Sequence, residues 1–526
     1  MGIRRGSILT PIIADGLVFN MDPANRASYP RTGTTVKDTV GNINGTLSTA
    51  EMFNVQSIKT FIFDGVDSDI LSSTNGPNLS RVSLSAWFKR NGDQNNYNGV
   101  FGIRNAGGAP HYGISWDIAF QSSPSNTQKI QWRVSNGSDA YKLINSNSAI
   151  SDNTWTNIIG TMDGTSVLMY INGVLQTETE TFSGTLLAPS KPINIGKQAN
   201  TDNHYFKGDI GPCHIYNRAL SATEVMKNFN ALKDRMGYVA PITVTFLVVA
   251  GGGGSMGGYV RGVGGGGAGG LRTSFGSTSG GGASAESNIT ALPGTSYTVT
   301  IGAGGAGPAN ATNAFNLGNS GNSSVFASIT SIGGGRGGSG NNGNGSTGGS
   351  AGGHGGTSNN IPTSGTTGQG TAGGTNNNSG IGAGGGGAST AGTAGASGGT
   401  GGNGLAVSVT GTSVTYAGGG GGGANAGTGG TGGTGGGGNG GTKSTQTAGV
   451  DGSINTGGGA GGAVNIPLGF NGGYGPGHSG GSGVVILRYS SDYTITSGAG
   501  LTSSTTTSGG DKITIFTAGT DTITFS

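Results

Sequence analysis

From Gly16 to about residue 200, apolar residues come in short runs at regular intervals with polar turns between them, a spacing that predicts the strands of a β-sandwich. The runs are 17–20, 61–63, 82–89, 99–104, 129–134, 156–162, 166–171 and 193–196. In the third, Leu84, Ala86 and Phe88 alternate with Ser83, Ser85 and Trp87, as a strand with one buried face requires. Between the apolar runs Val167–Ile171 and Val174-Leu175 stands Asn172-Gly173, a hairpin signal because both central positions of a type I′ turn take positive φ. The period then changes. Ser221-Ala222-Thr223-Glu224 reads as a capping box, and Val225, Met226, Phe229 and Leu232 share one helical face. Gly237 is placed to end this helix, which is expected to seal one edge of the sandwich.

Beyond residue 241 the unit is a strand that runs straight into glycine. Ile242–Ala250 is the first, and 297–302, 325–333 and 414–418 repeat it without a fixed period. Gly483–Tyr489 reads as a plain strand, and 512–517 and 521–525 as a pair joined by a turn at Ala518-Gly519-Thr520. Of 117 glycines in the 526-residue chain, 94 follow residue 240, about one residue in three there. Collagen is excluded, since no glycine period of three holds and prolines are few. Composition alone would allow disorder. An ordered alternative exists: glycine in a polyproline II-like helix has no Cβ to hold neighbours apart, and its N–H can bond sideways. Gly264–Gly267 and Gly418–Gly423 are therefore expected in extended segments bonded to one another.

Charge divides the chain at the same place. Only 11 of its 49 charged residues follow residue 240, and a net charge of +3 leaves no basic footprint for nucleic acid. The single cysteine, Cys213, allows no intrachain disulfide. The first 20 residues lack the unbroken apolar run and small-x-small site of a signal peptide, and no stretch approaches a membrane span. The expected organisation is an arm at 1–15, a sandwich at 16–235, a linker at 236–241, a glycine-rich domain at 242–490 and a strand tip at 491–526. The fold class is all-β.

Phe63-Asp64-Gly65, Leu84–Phe88, Trp155, Tyr170–Gly173, Ile195-Gly196 and above all Phe206–Ile210 with Ile215–Ser221 resemble, in order and spacing, a laminin-G-like, concanavalin-A-like jelly roll over residues 16–235. The opening, 14–18 with 41–47, is similar to the version found in bacteriophage virion proteins. The second half resembles glycine-rich phage adhesins and fibre proteins, cyanophage proteins included, in Leu247–Gly252 and in Gly480–Tyr489. These resemblances imply a virion protein, a tail fibre or adhesin subunit. It would bind host-surface glycan or protein, contact other virion proteins and form homo-oligomers, plausibly trimers. A purely structural decoration subunit is the alternative.

The jelly-roll resemblance also implies calcium in some branches and glycan hydrolysis in one. Hydrolysis needs paired carboxylates on a strand. Glu178 and Glu180 would face one way but no third acid follows, so no catalytic residue is expected. Asp64, Asp67 and Asp69, with Asp22 and Asp209 at the rim, are the candidate metal ligands; the other reading is a turn whose carboxylates satisfy their own backbone. Trp116 and Trp132 either stack on sugar rings or fill the space between two sheets. Loops carrying Phe470, Tyr474 and His478 either cap the glycine segments or form a receptor-contacting tip. His111, His204 and His214 lack metal-ligand spacing. Gly252-x-Gly254-x-x-Gly257 matches a dinucleotide fingerprint only formally, because no amphipathic helix follows. No cofactor is expected beyond that calcium.

Overall fold

The structure is a computed structural model, and it describes residues 11–55, 58–105, 113–121, 127–137, 141–198, 204–258, 261–309, 317–340, 343–356, 361–375, 380–394, 397–466 and 475–526. The chain divides into two compact units, Met1–Val239 and Ala240–Ser526.

The first unit is two antiparallel sheets. One runs in the order Val174–Leu175, Ser166–Ile171, Thr156–Met162, Val82–Arg90, Lys207–Tyr216, Thr60–Asp64, Phe53–Asn54, with Leu17–Met21 also paired to Lys207–Tyr216. The other runs Tyr141–Asn145, Ile130–Ser135, Ile114–Phe120, Gly99–Arg104, Pro192–Ile195, Ile70–Asn75, Gly45–Leu47, Thr35–Val36. The alternation at Val82–Arg90 is realised with Leu84, Ala86 and Phe88 in the core between the sheets. Asn172 and Gly173 take φ of 51° and 80°, as the hairpin turn demands. Trp132 packs across the core so closely that a Cβ on Gly160 of the facing sheet would overlap its ring.

The helix Ala222–Leu232 starts at the expected capping box: Ser221 Oγ accepts from Glu224 N–H and Glu224 Oε2 accepts from Ser221 N–H. It lies over the outer face of the first sheet rather than at an edge. Phe229 stacks on Trp87 at 5.6 Å, and Val225 packs with Ile159, Tyr170 and Tyr216. The reason is that Trp87, an outward position by the alternation, is too large and apolar to face water.

The second unit combines a ten-stranded sheet with a glycine lattice. Ile242–Val249 is buried on both faces from Phe246 onward: Val244, Phe246 and Val248 join one apolar cluster with Leu487 and Phe516, while Leu247 and Val249 join another with Ala268, Ala388 and Tyr416. Beyond it the glycines are extended and bonded sideways with a period of three. Gly264, Gly267 and Gly270 donate to the carbonyls of Gly338, Gly335 and Ile332; Val263, Gly266 and Gly269 to Ala463, Ala460 and Gly457; Gly262, Gly265 and Ala268 to Gly380, Ala383 and Gly386. Each segment thus bonds to a different neighbour on each of three sides, the pattern a three-residue helix without side chains permits. The two blocks singled out in the sequence touch directly, Gly420 N–H donating to Gly266 O at 2.9 Å.

The C-terminal segment differs from its expected form. Asp511–Phe525 is one strand with no reversal at Ala518–Thr520; it pairs with Val484–Ser490 and then with Ser296–Thr300, so residues 491–526 belong to the sheet and form no separate tip. Gly519, with φ 98°, is needed for a different reason: a Cβ there would overlap the Gly500 carbonyl oxygen. The hairpin lies earlier, at Gly509-Gly510, whose φ values are 59° and 88°.

Candidate functional site

In the second sheet of the sandwich, alternation sends Ile114, Trp116, Ile118 and Phe120 inward with Ile130, Trp132 and Val134. Ser115, Asp117 and Ala119 and, on the neighbouring strand, Gln131, Arg133 and Ser135 are then outward. Register sets Arg133 directly opposite Asp117, and the two form a fork of paired bonds, Nε to Oδ1 and Nη2 to Oδ2, both 2.6 Å. On the far side of Asp117 stands Gly102, where a side chain would overlap Asp117. Although outward, this pair is buried, Arg133 at 0% and Asp117 at 5% exposure.

Half-buried side chains surround it. The Tyr97 ring lies 5.8 Å from the Arg133 guanidinium carbon, within cation–π range, and Tyr97 holds a left-handed φ of 66°. His204 meets Tyr97 edge-on at 5.6 Å. Its own position is set by backbone: Gly99 N–H and Gln198 N–H both donate to His204 O. Tyr141, opposite Ser135 on the next strand, reaches Arg133 with its hydroxyl. Arg104 Nη1 donates to Gln198 Oε1 at 3.1 Å.

The electrostatics follow from burial and two cations. Burial works to strip Arg133 of its proton, but the Asp117 charge and the bonds to Asp117 and Tyr141 overcome it and leave the pKa raised. Burial pushes the Tyr141 phenol up to about 12 despite Arg133, so it is a neutral donor. Burial, with Arg104 and Arg133 nearby, lowers His204 against a hydrogen bond it donates to the Asn96 backbone carbonyl, so its imidazole is neutral at pH 7. The cluster therefore offers two phenol rings, an imidazole and the half-buried Arg104 guanidinium, over a floor made by the buried Arg133–Asp117 pair. That chemistry suits a polyhydroxylated ligand: rings for the C–H faces, a charged donor for hydroxyls. The carboxylates around it are already engaged. Asp117 is held by Arg133, Glu178 Oε2 accepts from Asn145 N–H and Nδ2, and Glu180 pairs with Lys142 at 3.2 Å.

The residues singled out by sequence lie elsewhere. Trp116 and Trp132 are core residues, 1% and 0% exposed, and cannot meet a sugar; Trp132 Nε1 donates to Thr161 O at 3.3 Å between the sheets. Phe470, Tyr474 and His111 lie outside the described residues. His478 is set into the lattice, its N–H donating to Ser255 Oγ and its Nδ1 3.5 Å from Asp451; burial lowers its pKa against the pull of that carboxylate. Asp64 Oδ1 accepts from the N–H groups of Val66, Asp67 and Ser68 at 2.8–3.2 Å. Burial opposes ionisation there, yet these bonds hold its pKa down to about 2. Burial raises Asp69, with Lys197 pulling down and Asp67 pushing up. Among the described residues no three His, Cys, Asp or Glu side chains converge as a metal would need. Asp22 pairs with Arg235, and Asp209 with Lys89.

Residues 64–226 match the family model described as the concanavalin A-like lectin/glucanases superfamily, and residues 239–490 match a glycine-rich domain. The chain carries a concanavalin-A-like domain and a glycine-rich domain. Similar solved structures include a Trypanosoma rangeli sialidase complexed with 2,3-difluorosialic acid (11% identity, TM-score 0.31, 42% of this chain and 34% of that one). Others are domain 4 of AbnA, a GH43 arabinanase from Geobacillus stearothermophilus, with arabinotriose (18%, 0.30, 40% and 97%) and the receptor-binding domain of a botulinum neurotoxin C/D mosaic serotype (18%, 0.32, 45% and 57%). The chain thus spans about a third of the length of the sialidase. No curated protein matches.

Sequence reasoning misses the cluster in the concanavalin-A-like domain. Ile114–Phe120 is not among the predicted strands, so the opposition of Asp117 and Arg133 is invisible, and His204, without metal-ligand spacing, reads as an ordinary surface or core histidine. The one available signal was an Arg between two core positions, Trp132 and Val134, with an Asp between two others, Trp116 and Ile118.

Proposed function

We propose that this protein is a non-catalytic glycan-binding subunit of a phage virion, a tail fibre or adhesin. Its concanavalin-A-like domain takes host-surface glycan over the Tyr97–Arg133–Tyr141–His204 cluster, and its glycine lattice is a stiff mount. The observation that carries the reading is the partly exposed ring set over a buried, correctly forked Arg133–Asp117 pair. The full engagement of Asp117, Glu178 and Glu180 by cations and amides supports binding without hydrolysis. The virion assignment rests on the resemblance of Leu247–Gly252 and Gly480–Tyr489 to phage fibre proteins, and it includes contacts with other virion proteins.

The test is a glycan array probed with the full chain, followed by titration of any hit with Tyr97→Ala and Tyr141→Phe. Loss of one stacking ring should weaken binding about fivefold, as an aromatic contact of about 1 kcal/mol implies, and Tyr141→Phe less. Unchanged affinity in Tyr97→Ala removes this face as the site, and release of reducing ends from a bound polysaccharide overturns the non-catalytic reading. Immunogold labelling of particles decides the virion placement.

A further inference from the structure

Several exposed backbone edges of the protein are closed by side chains. On the lattice rim, Gly432 N–H donates to Asn439 Oδ1, Gly429 N–H to Thr442 Oγ1, Asn403 N–H to Thr390 Oγ1 and Ile332 N–H to Gln369 Oε1, each at 2.8 Å. The sandwich edge strand Tyr141–Asn145 is treated alike, with Asn145 N–H on Glu178 at 2.7 Å. These acceptors occupy the groups that would otherwise pair with another chain.

One long edge has no such cover among the described residues. There Leu501–Ser508 pairs only with Asp511–Phe525, and every residue from Thr502 to Ser508 is exposed. Alternate residues of an antiparallel edge strand point N–H and C=O away from their partner. Among the described residues no group outside this hairpin accepts from the N–H of Thr502–Ser508. Its sequence, Leu-Thr-Ser-Ser-Thr-Thr-Thr-Ser, contains no charge and no proline, the usual devices that keep an edge single.

We propose that this edge is a self-association surface, on which two copies of the chain pair Leu501–Ser508 edge to edge about a twofold axis and join their ten-stranded sheets. A twofold contact must be self-complementary. An uncharged Ser/Thr strand meets that condition, since hydroxyl rows pair favourably across strands and nothing repels. A charged partner strand would find no countercharge here. The strip is about 27 Å long at 3.4 Å per residue and one strand wide. It falls short of the roughly 1,200 Å² of a standard interface, so pairing is weak and depends on concentration. The contact makes dimers, not the trimers the fibre resemblance implies.

Sedimentation of the full chain over a hundredfold concentration range tests this. Wild type should shift from monomer to dimer, and Ser504→Lys with Thr506→Lys, on one face of the strand, should remain monomeric with an unchanged circular dichroism spectrum. Wild type that stays monomeric, or forms larger species with the lysines making no difference, overturns the proposal. If the lysines perturb the fold, hydrogen exchange of wild type alone decides: amides of Thr502–Ser508 should gain protection with concentration, and no gain rejects the pairing.

Discussion

The concanavalin-A-like domain and the glycine-rich domain solve the same problem, a rigid body with no disulfide, from opposite ends of the chain's chemistry. The first is held by side chains: Phe88, Phe120 and Phe206 meet within 6.3 Å of one another in a core closed by two sheets. In the lattice the backbone does that work, glycines such as Gly264, Gly265 and Gly266 donating to neighbouring segments where a side chain would not fit. A large side chain can be trimmed, and its surroundings relax in part. A carbonyl oxygen packed where a Cβ would stand cannot retreat without breaking its own hydrogen bond. The difference predicts that adding one methyl harms the lattice more than removing a whole ring harms the sandwich.

Gly265→Ala is the strongest test of that contrast, because its Cβ would overlap the Gly420 carbonyl in the middle of the slab. We expect a loss beyond about 4 kcal/mol, at the far end of single-substitution effects. Hydrogen exchange should show amides of the lattice opening while those of the sandwich stay protected. Protection unchanged at Gly266 and Gly420 would end the claim that close backbone approach holds the slab. Phe88→Ala is the counterpart. Phe88 is fully buried and should cost about 3–5 kcal/mol, with exchange rising only in the first unit.

Which parts of this contrast the sequence carried depends on period. The sandwich strands were legible because alternation of apolar and polar residues is written locally, and Gly99–Arg104, Thr156–Met162 and Ser166–Ile171 run as expected. The lattice was legible as a class, since glycine blocks without charge leave sideways backbone bonding as the one route to order. Its wiring was not, because a glycine bonded to Gly338 looks the same as one bonded to Gly380. Asp511–Phe525 was misread for a related reason: Gly519 suggested a turn locally, while its true cause is Gly500, which lies close only after folding. The polar cluster was hidden likewise, since Arg133 and Asp117 become partners through register.

Acid acts on a buried histidine in each unit, most strongly in the first. His214 is buried beside Asp22 and Arg235; burial, assisted by Arg235 and resisted by Asp22, lowers its pKa from 6.5 to about 4. Its folded form binds fewer protons than the unfolded chain between those values, so stability falls as pH drops from about 6.5 to 4 and the loss then levels off. The size is on the order of 3 kcal/mol in the first unit. In the glycine-rich domain burial lowers His478 in the same direction, against the pull of Asp451, so denaturant melts followed by regional exchange at pH 7 and pH 4.5 should show both units weakening, the first unit by the His214 share. His214→Asn, which removes the larger titration, should reduce that dependence in the first unit and leave the share of His204; a slope left unchanged assigns the effect to another group.

The smallest expected effect concerns the one chemistry the two units share. In the sandwich, Ser221 Oγ caps the helix by accepting Glu224 N–H at 3.4 Å; on the lattice rim, Thr442 Oγ1 accepts Gly429 N–H at 2.8 Å. Both hydroxyls take a backbone donor that regular structure leaves over, at a helix end in one case and at the last row of a slab in the other. If the lattice rim is a capped boundary in the same physical sense, Thr442→Val should cost about what Ser221→Ala costs, roughly 1 kcal/mol. Valine keeps the volume and removes only the acceptor, and Gly429 N–H would exchange faster while Gly421 and Gly266, deeper in the slab, would not. A cost near zero for Thr442→Val with a full cost for Ser221→Ala would mean that water caps the rim as well as a hydroxyl does. The Ser, Thr and Asn residues spaced along the glycine blocks would then serve to stop the slab from growing onto a neighbouring copy, with no share in holding it together.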